Sequence, residues 1–167
     1  MLAKSNEDLS YFDKSERHWI KMADIPHIFY RARKLLAVKD KIYLIGTFIV
    51  AEYNPRSKCW RKLPRFQAAN GASDHRSFDN FLSVCATDRK LYVRSESETE
   101  VGPFQVLDLD DDDPHWKQIG RPNDEHPAGD YGLYPCEVVA VDGSFYLMGG
   151  GDTSVETMML KMMYGLL

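Results

Sequence analysis

Residues Lys34 to Trp60 read KLLAVKDKIYLIGTFIVAEYNPRSKCW. Leu35–Val38 is a brief apolar run, and Lys39-Asp40-Lys41 is a polar break of hairpin type. Ile42–Ile45 is a second apolar run, stopped by Gly46, and Phe48–Ala51 leads into the turn signal Tyr53-Asn54-Pro55. Cys59-Trp60 opens a further short strand. Short runs rich in β-branched and aromatic residues, cut by Gly, Pro, Asn and Asp, are the mark of strands joined by tight turns. The stretch does not sustain the i, i+3, i+4 spacing of an amphipathic helix. It predicts a four-stranded antiparallel meander.

The unit recurs. A Tyr near the end of a short strand stands in DKIYLIG (Tyr43), RKLYVRS (Tyr92) and GSFYLMGG (Tyr146), 49 and 54 residues apart. A Trp follows an acidic or amide turn residue three times: Asp13 to Trp19, Asn54 to Trp60 and Asp108 to Trp116. Each Trp leads into a short strand and then Pro or Gly, in WIKMADIP, WRKLPRF and WKQIGRP. Four strands per repeat of roughly 50 residues is the period of kelch-type propeller blades. With these residues the chain resembles the kelch family over about residues 11 to 157, although the family's Gly pair stands only at Gly149-Gly150. The resemblance implies an all-β, partial kelch-type β-propeller of about three four-stranded blades, incomplete at both ends. It also places the repeated Trp19, Trp60, Trp116, Tyr43, Tyr92 and Tyr146 in blade cores.

In chain order, residues 1–10 are expected to be a disordered leader, and 11–22 the end of a blade. Residues 34–63 and 81–119 are whole blades, 136–157 the start of another, and 158–167 a divergent Met-rich tail. Propellers commonly close with four to eight blades. The count therefore predicts a fragment, a shortened isoform or an incomplete product, and otherwise a divergent chain that pairs with another. Sheet edges and blade faces left open would favour association.

Composition fits one globular domain: 167 residues, 44% hydrophobic, 28% charged, net charge −4. That charge gives no argument for a nucleic-acid or anionic-membrane partner. Three widely spaced cysteines, Cys59, Cys85 and Cys136, do not suggest a disulfide framework, and a cytoplasmic setting is expected. The start is too polar for a signal peptide, and no apolar run approaches a membrane span.

Most sharper chemistry is unsupported. Asp110–Asp113 lacks the spaced ligands and Gly of a calcium loop and reads as a solvated hairpin. Gly149–Gly151 has no following Lys-Ser/Thr and is no phosphate loop. The five histidines show no metal-ligand spacing, and no nucleophile elbow occurs. The sequence predicts no cofactor, no metal and no catalytic residue. The kelch resemblance implies partner binding through loops at one rim. Arg33 stands where the family has an Arg before the first strand, Arg76 stands comparably before Phe81, and Tyr134 takes that place in the third repeat. Arg suits the role because its planar fork takes a carboxylate with two hydrogen bonds. The expected function is a protein-interaction adaptor, by analogy with BTB-kelch and F-box-kelch proteins that present substrates to a ubiquitin ligase. The alternative is part of a propeller enzyme or small-ligand binder whose site lies in other blades.

Overall fold

A computed structural model describes residues 1–5, 7–29, 32, 34–46, 49–67, 81–96, 104–120, 137–141 and 144–148. Among them every strand pairs antiparallel, and the one helical element is a 3-10 turn, His27–Phe29. The chain divides into two compact units, Met1–Arg65 and Phe66–Leu167.

The first unit holds two sheets. One runs β1 (Leu2–Lys4), β2 (Asp8–Asp13), β3 (His18–Asp24), and the other β4 (Lys34–Val38), β5 (Lys41–Gly46), β6 (Ile49–Asn54), β7 (Cys59–Leu63). Strand alternation sorts the second sheet into two faces. Ile42, Leu44, Ala51 and Tyr53 point to one side and form a core with Leu9, Ile25, Phe29 and Ala32. Val38, Tyr43, Ile45, Val50 and Leu63 occupy the other side and are also buried. Fully burying an aliphatic side chain of this size contributes about 1.5–3 kcal/mol.

The expected disordered leader over residues 1–10 is corrected here. Leu2–Lys4 pairs with β2 in the register Leu2↔Tyr11, Ala3↔Ser10, Lys4↔Leu9, and Leu9 has no exposed surface. The polar residues between them are a turn: the Ser5 hydroxyl oxygen accepts from the N–H groups of Glu7 (3.2 Å) and Asp8 (2.9 Å). Burial of Leu2 and Leu9 against the core fixes the segment, so this sheet has three strands.

In the second unit β8 (Phe81–Ala86), β9 (Lys90–Glu96), β10 (Phe104–Asp108) and β11 (Trp116–Gly120) form a meander, and β12 (Glu137–Val141) pairs with β13 (Ser144–Met148). β12 runs beside β8. Leu91, Val93 and Leu107 are fully buried on one face of the meander. The expected Met-rich tail, residues 158–167, lies outside the described residues.

Candidate partner-binding surface

The three Trp hairpins share one local design. At each, the side-chain oxygen of the turn residue singled out in the sequence accepts a backbone N–H two residues on. Asp13 takes Ser15 at 2.8 Å, Asn54 takes Arg56 at 2.9 Å, and Asp108 takes Asp110 at 3.1 Å. Such Asx turns stand in for a backbone turn and explain why Asp or Asn recurs there. The Ser15 hydroxyl, followed by the backbone N–H groups of Glu16 and Ser15, holds the Asp13 carboxyl below the usual carboxylate range. Arg17 (φ 56°) and Lys58 (φ 55°) close the first two turns in the left-handed region without a glycine, as Lys39 (φ 53°) does between β4 and β5.

On that constant frame the charge is reversed from one blade to the next. In the β4–β7 sheet, Asp40 of the first turn meets Arg56 of the third at 3.4 Å. In the β8–β11 sheet, the same two places hold Arg89 and Asp110, 2.6 Å apart. Lys39 and Lys58 add positive charge to the first tip, whereas Asp88 and Asp111–Asp113 add negative charge to the second.

The three Trp side chains also hold matching places, each a cross-strand partner of an apolar residue: Phe12↔Trp19, Tyr53↔Trp60 and Leu107↔Trp116. Their surroundings differ. Trp60 is half-buried, with Tyr53 at 4.9 Å and Phe29 at 5.6 Å between ring centroids, and its indole N–H donates to the Asp24 carbonyl at 2.9 Å. Trp116 is half-buried against Phe66 at 5.7 Å. Trp19 has Phe12 at 5.5 Å and is 45% exposed. The expectation that Trp19 is blade core is therefore corrected: the repeat supplies its position, but no phenylalanine from a preceding connection covers it among the described residues. Tyr43 is buried and Tyr92 half-buried, while the side chain of Tyr146 lies outside the described residues.

Glu52 and Gln105 are polar side chains buried inside the blades that the strand pattern does not single out. Glu52, 5% exposed, sits in the row Leu36–Tyr43–Glu52–Arg61. Its carboxylate accepts from Lys41 Nζ (3.0 Å), Tyr43 OH (3.2 Å) and Arg61 Nη2 (3.1 Å). Burial, then the Glu52 charge, pushes the Tyr43 phenol above its ordinary range. A buried carboxylate is tolerable only with such full pairing, so this cluster reads as a fastening of β5, β6 and β7. Gln105, buried in β10, accepts from Gln67 N–H (2.8 Å) and donates to Gln67 carbonyl (2.6 Å), pinning the chain that leads from Phe66. Nearby, the Arg94 guanidinium lies 5.4 Å over the Phe104 ring.

Arg33, Arg76 and Tyr134, the residues expected at the binding rim, lie outside the described residues. Among the described residues no group of three or more His, Cys, Asp or Glu side chains is placed to hold a metal ion. Cys59 is exposed, and Cys85 is buried, its thiol pushed up to about 12 by burial. No described helix is long and apolar enough to cross a membrane.

No family model matches the chain, and no curated protein matches it. Solved structures do. The N-terminal domain of Nup159 is similar over 92% of this chain and 37% of that one, with a TM-score of 0.53 and 15% identity. A chain of an S. cerevisiae complex of Dbp5 bound to Nup159, Gle1, IP6 and ADP is similar over 93% of this chain and 37% of that one, with a TM-score of 0.52 and 15% identity. This chain thus spans a little over a third of the length of those it matches. Identity at that level speaks to fold alone, and with the serial four-stranded meanders it establishes that the chain is a partial β-propeller.

Proposed function

We propose that this chain is a protein-interaction module of kelch type that acts in the cytoplasm, has no catalytic activity of its own, and contributes to substrate recognition by a ubiquitin ligase. One observation carries the reading. Homologous hairpin tips keep the same Asx turn and the same salt-bridge positions, yet Asp40–Arg56 becomes Arg89–Asp110. A frame held constant while its surface chemistry is reversed is what loops that read a partner need, since the scaffold supplies rigidity and the loops supply specificity. The structural neighbour named as Nup159 is a propeller bound with Dbp5 and Gle1, which is in keeping with a partner-binding use of the architecture. The kelch and ligase parts rest on the Trp, Tyr and turn spacing and on Arg33, Arg76 and Tyr134 at the expected rim.

The test is quantitative affinity capture from cytoplasm with the 167-residue chain, beside Arg33→Ala/Arg76→Ala and Arg56→Glu/Lys58→Glu variants of equal thermal stability. The reading predicts a saturable set of proteins, including ubiquitin-ligase components, whose recovery falls severalfold for at least one variant. Equal recovery by all three chains would overturn it.

A further inference from the structure

Residues 34–63, which build the β4–β7 sheet, carry seven basic and two acidic side chains, a net charge of +5 in a chain whose total is −4. Residues 81–120, which build the β8–β11 sheet, carry four basic and nine acidic ones, a net charge of −5. In the first sheet much of the positive charge gathers at one end. The β4–β5 and β6–β7 turns lie side by side there, joined by the Asp40–Arg56 pair, and Lys39, Arg56 and Lys58 are exposed on them. Both turns are fixed: Asn54 accepts the N–H groups of Arg56 (2.9 Å) and Ser57 (3.3 Å), and Lys39 and Lys58 hold left-handed backbone. Exposed Arg61 and Lys62 continue the charge along β7. The two carboxylates neutralise only part of it. Glu52 is buried and takes Lys41 and Arg61, while Asp40 meets Arg56 at 3.4 Å with the guanidinium still 82% exposed.

We propose that this end of the β4–β7 sheet binds an acidic segment of a partner protein. One carboxylate of the segment takes the Arg56 fork, and its neighbours lie against Lys39 and Lys58. Exposed ion pairs contribute little singly, so recognition needs several in register, and turns fixed before binding lower the ordering cost. A nucleic acid is the poorer occupant, because a chain of net charge −4 repels a long polyanion. So is the acidic hairpin of a second copy, whose Asp108, Asp110 and Asp111 carboxylates are already engaged within it at 3.1, 2.6 and 3.2 Å. The proposal rests on the partner-binding reading above and names the chemistry of the partner at these turns. They lie at the opposite end of the sheet from the start of β4, where the sequence puts the Arg33 rim.

The experiment titrates the full chain into a fluorescein-labelled octapeptide of alternating Asp and Glu and follows fluorescence anisotropy. Lys39→Glu/Lys58→Glu reverses the charge at the turns and leaves the Asp40–Arg56 pair in place. Lys90→Glu/Lys117→Glu makes the same change in net charge on exposed residues of the β8–β11 sheet. All these side chains are exposed, and both variants should melt with the wild type; Lys58→Glu alone repeats the test with a single change. The wild type should bind saturably, the first variant about tenfold more weakly or worse, and the second within about twofold of the wild type. Raising the ionic strength from about 0.01 M to about 0.15 M, which shortens the Debye length from about 30 Å to about 8 Å, should weaken binding at least severalfold. No saturable binding, or an equal loss in both double variants, would overturn the proposal. Tighter binding of a labelled oligothymidylate of equal charge would reassign the site to nucleic acid. Self-association without peptide that Lys39→Glu/Lys58→Glu abolishes would reassign it to a second copy. A peptide that fails while protein capture still depends on Arg56 and Lys58 overturns the acidic partner alone and leaves the partner-binding reading in place.

Discussion

Replacing Trp60 and Trp19 separately by alanine should give very different losses of stability, although the two residues occupy the same place in the repeat. Core Trp→Ala substitutions cost about 3–5 kcal/mol. Trp60 is half-buried, which places it toward the lower end, but it makes ring contacts to both Tyr53 and Phe29 and donates to the Asp24 carbonyl. Aromatic pairs contribute about 0.5–1.5 kcal/mol each beyond area, and a hydrogen bond about 1 kcal/mol. Together these give a loss of about 3 kcal/mol for Trp60→Ala. Trp19, 45% exposed with one ring partner, should lose about 1 kcal/mol. Urea denaturation followed by far-ultraviolet circular dichroism resolves the difference, because at a slope of about 1–3 kcal/mol/M the Trp60 midpoint falls by about 1 M or more. Equal losses for the two variants would refute the reasoning that the preceding Phe-bearing segment, rather than the blade itself, buries the tryptophan.

Four further outcomes follow. Glu52→Ala should cost about 1.5–3 kcal/mol, the scale of hydrogen bonds to a charged group, read by the same denaturation; Lys41 and Arg61, both partly exposed, can turn to water, which limits the loss. Stability should fall as pH rises past about 10, where the Tyr43 phenol ionises in the unfolded chain but stays protonated in the fold, and Tyr43→Phe should reduce that fall. Site-resolved alkylation by iodoacetamide should modify exposed Cys59 readily and spare buried Cys85 until the chain unfolds, and simultaneous labelling of both would contradict its burial. Gln105→Ala should cost about 1–3 kcal/mol by leaving Gln67 unpaired and should raise amide exchange at Gln67, whereas unchanged exchange there would show that the Gln105 amide does not pin the segment.

The blade from Lys34 to Leu63 is legible because its apolar runs alternate with polar breaks at hairpin spacing, and the turn residues Asp13, Asn54 and Asp108 mark hairpins that their side-chain hydrogen bonds close. β1 was missed because three residues carry too little periodicity, and its real signal was the Ser5 turn between Leu2 and Leu9. The burial of Trp19 was misjudged for a different reason: a repeat fixes where a side chain points but not what lies over it. Glu52 and Gln105 were missed because a polar residue within a strand reads as solvent-facing unless its partners are known, and those partners come from other strands and a distant connection. At the site, the sequence pointed to rim arginines, whereas the described residues display charge-reversed tips.

The most direct check of the central claim, that serial antiparallel meanders build a partial propeller, is the strand register measured by cross-strand nuclear Overhauser effects in the labelled chain. The account predicts contacts along the row Leu36–Tyr43–Glu52–Arg61 and along Cys85–Tyr92–Val106–Lys117, each crossing four consecutive strands. Helical chemical shifts in these segments, or pairing of β4 or β8 with any strand in place of the one that follows it, would contradict the account.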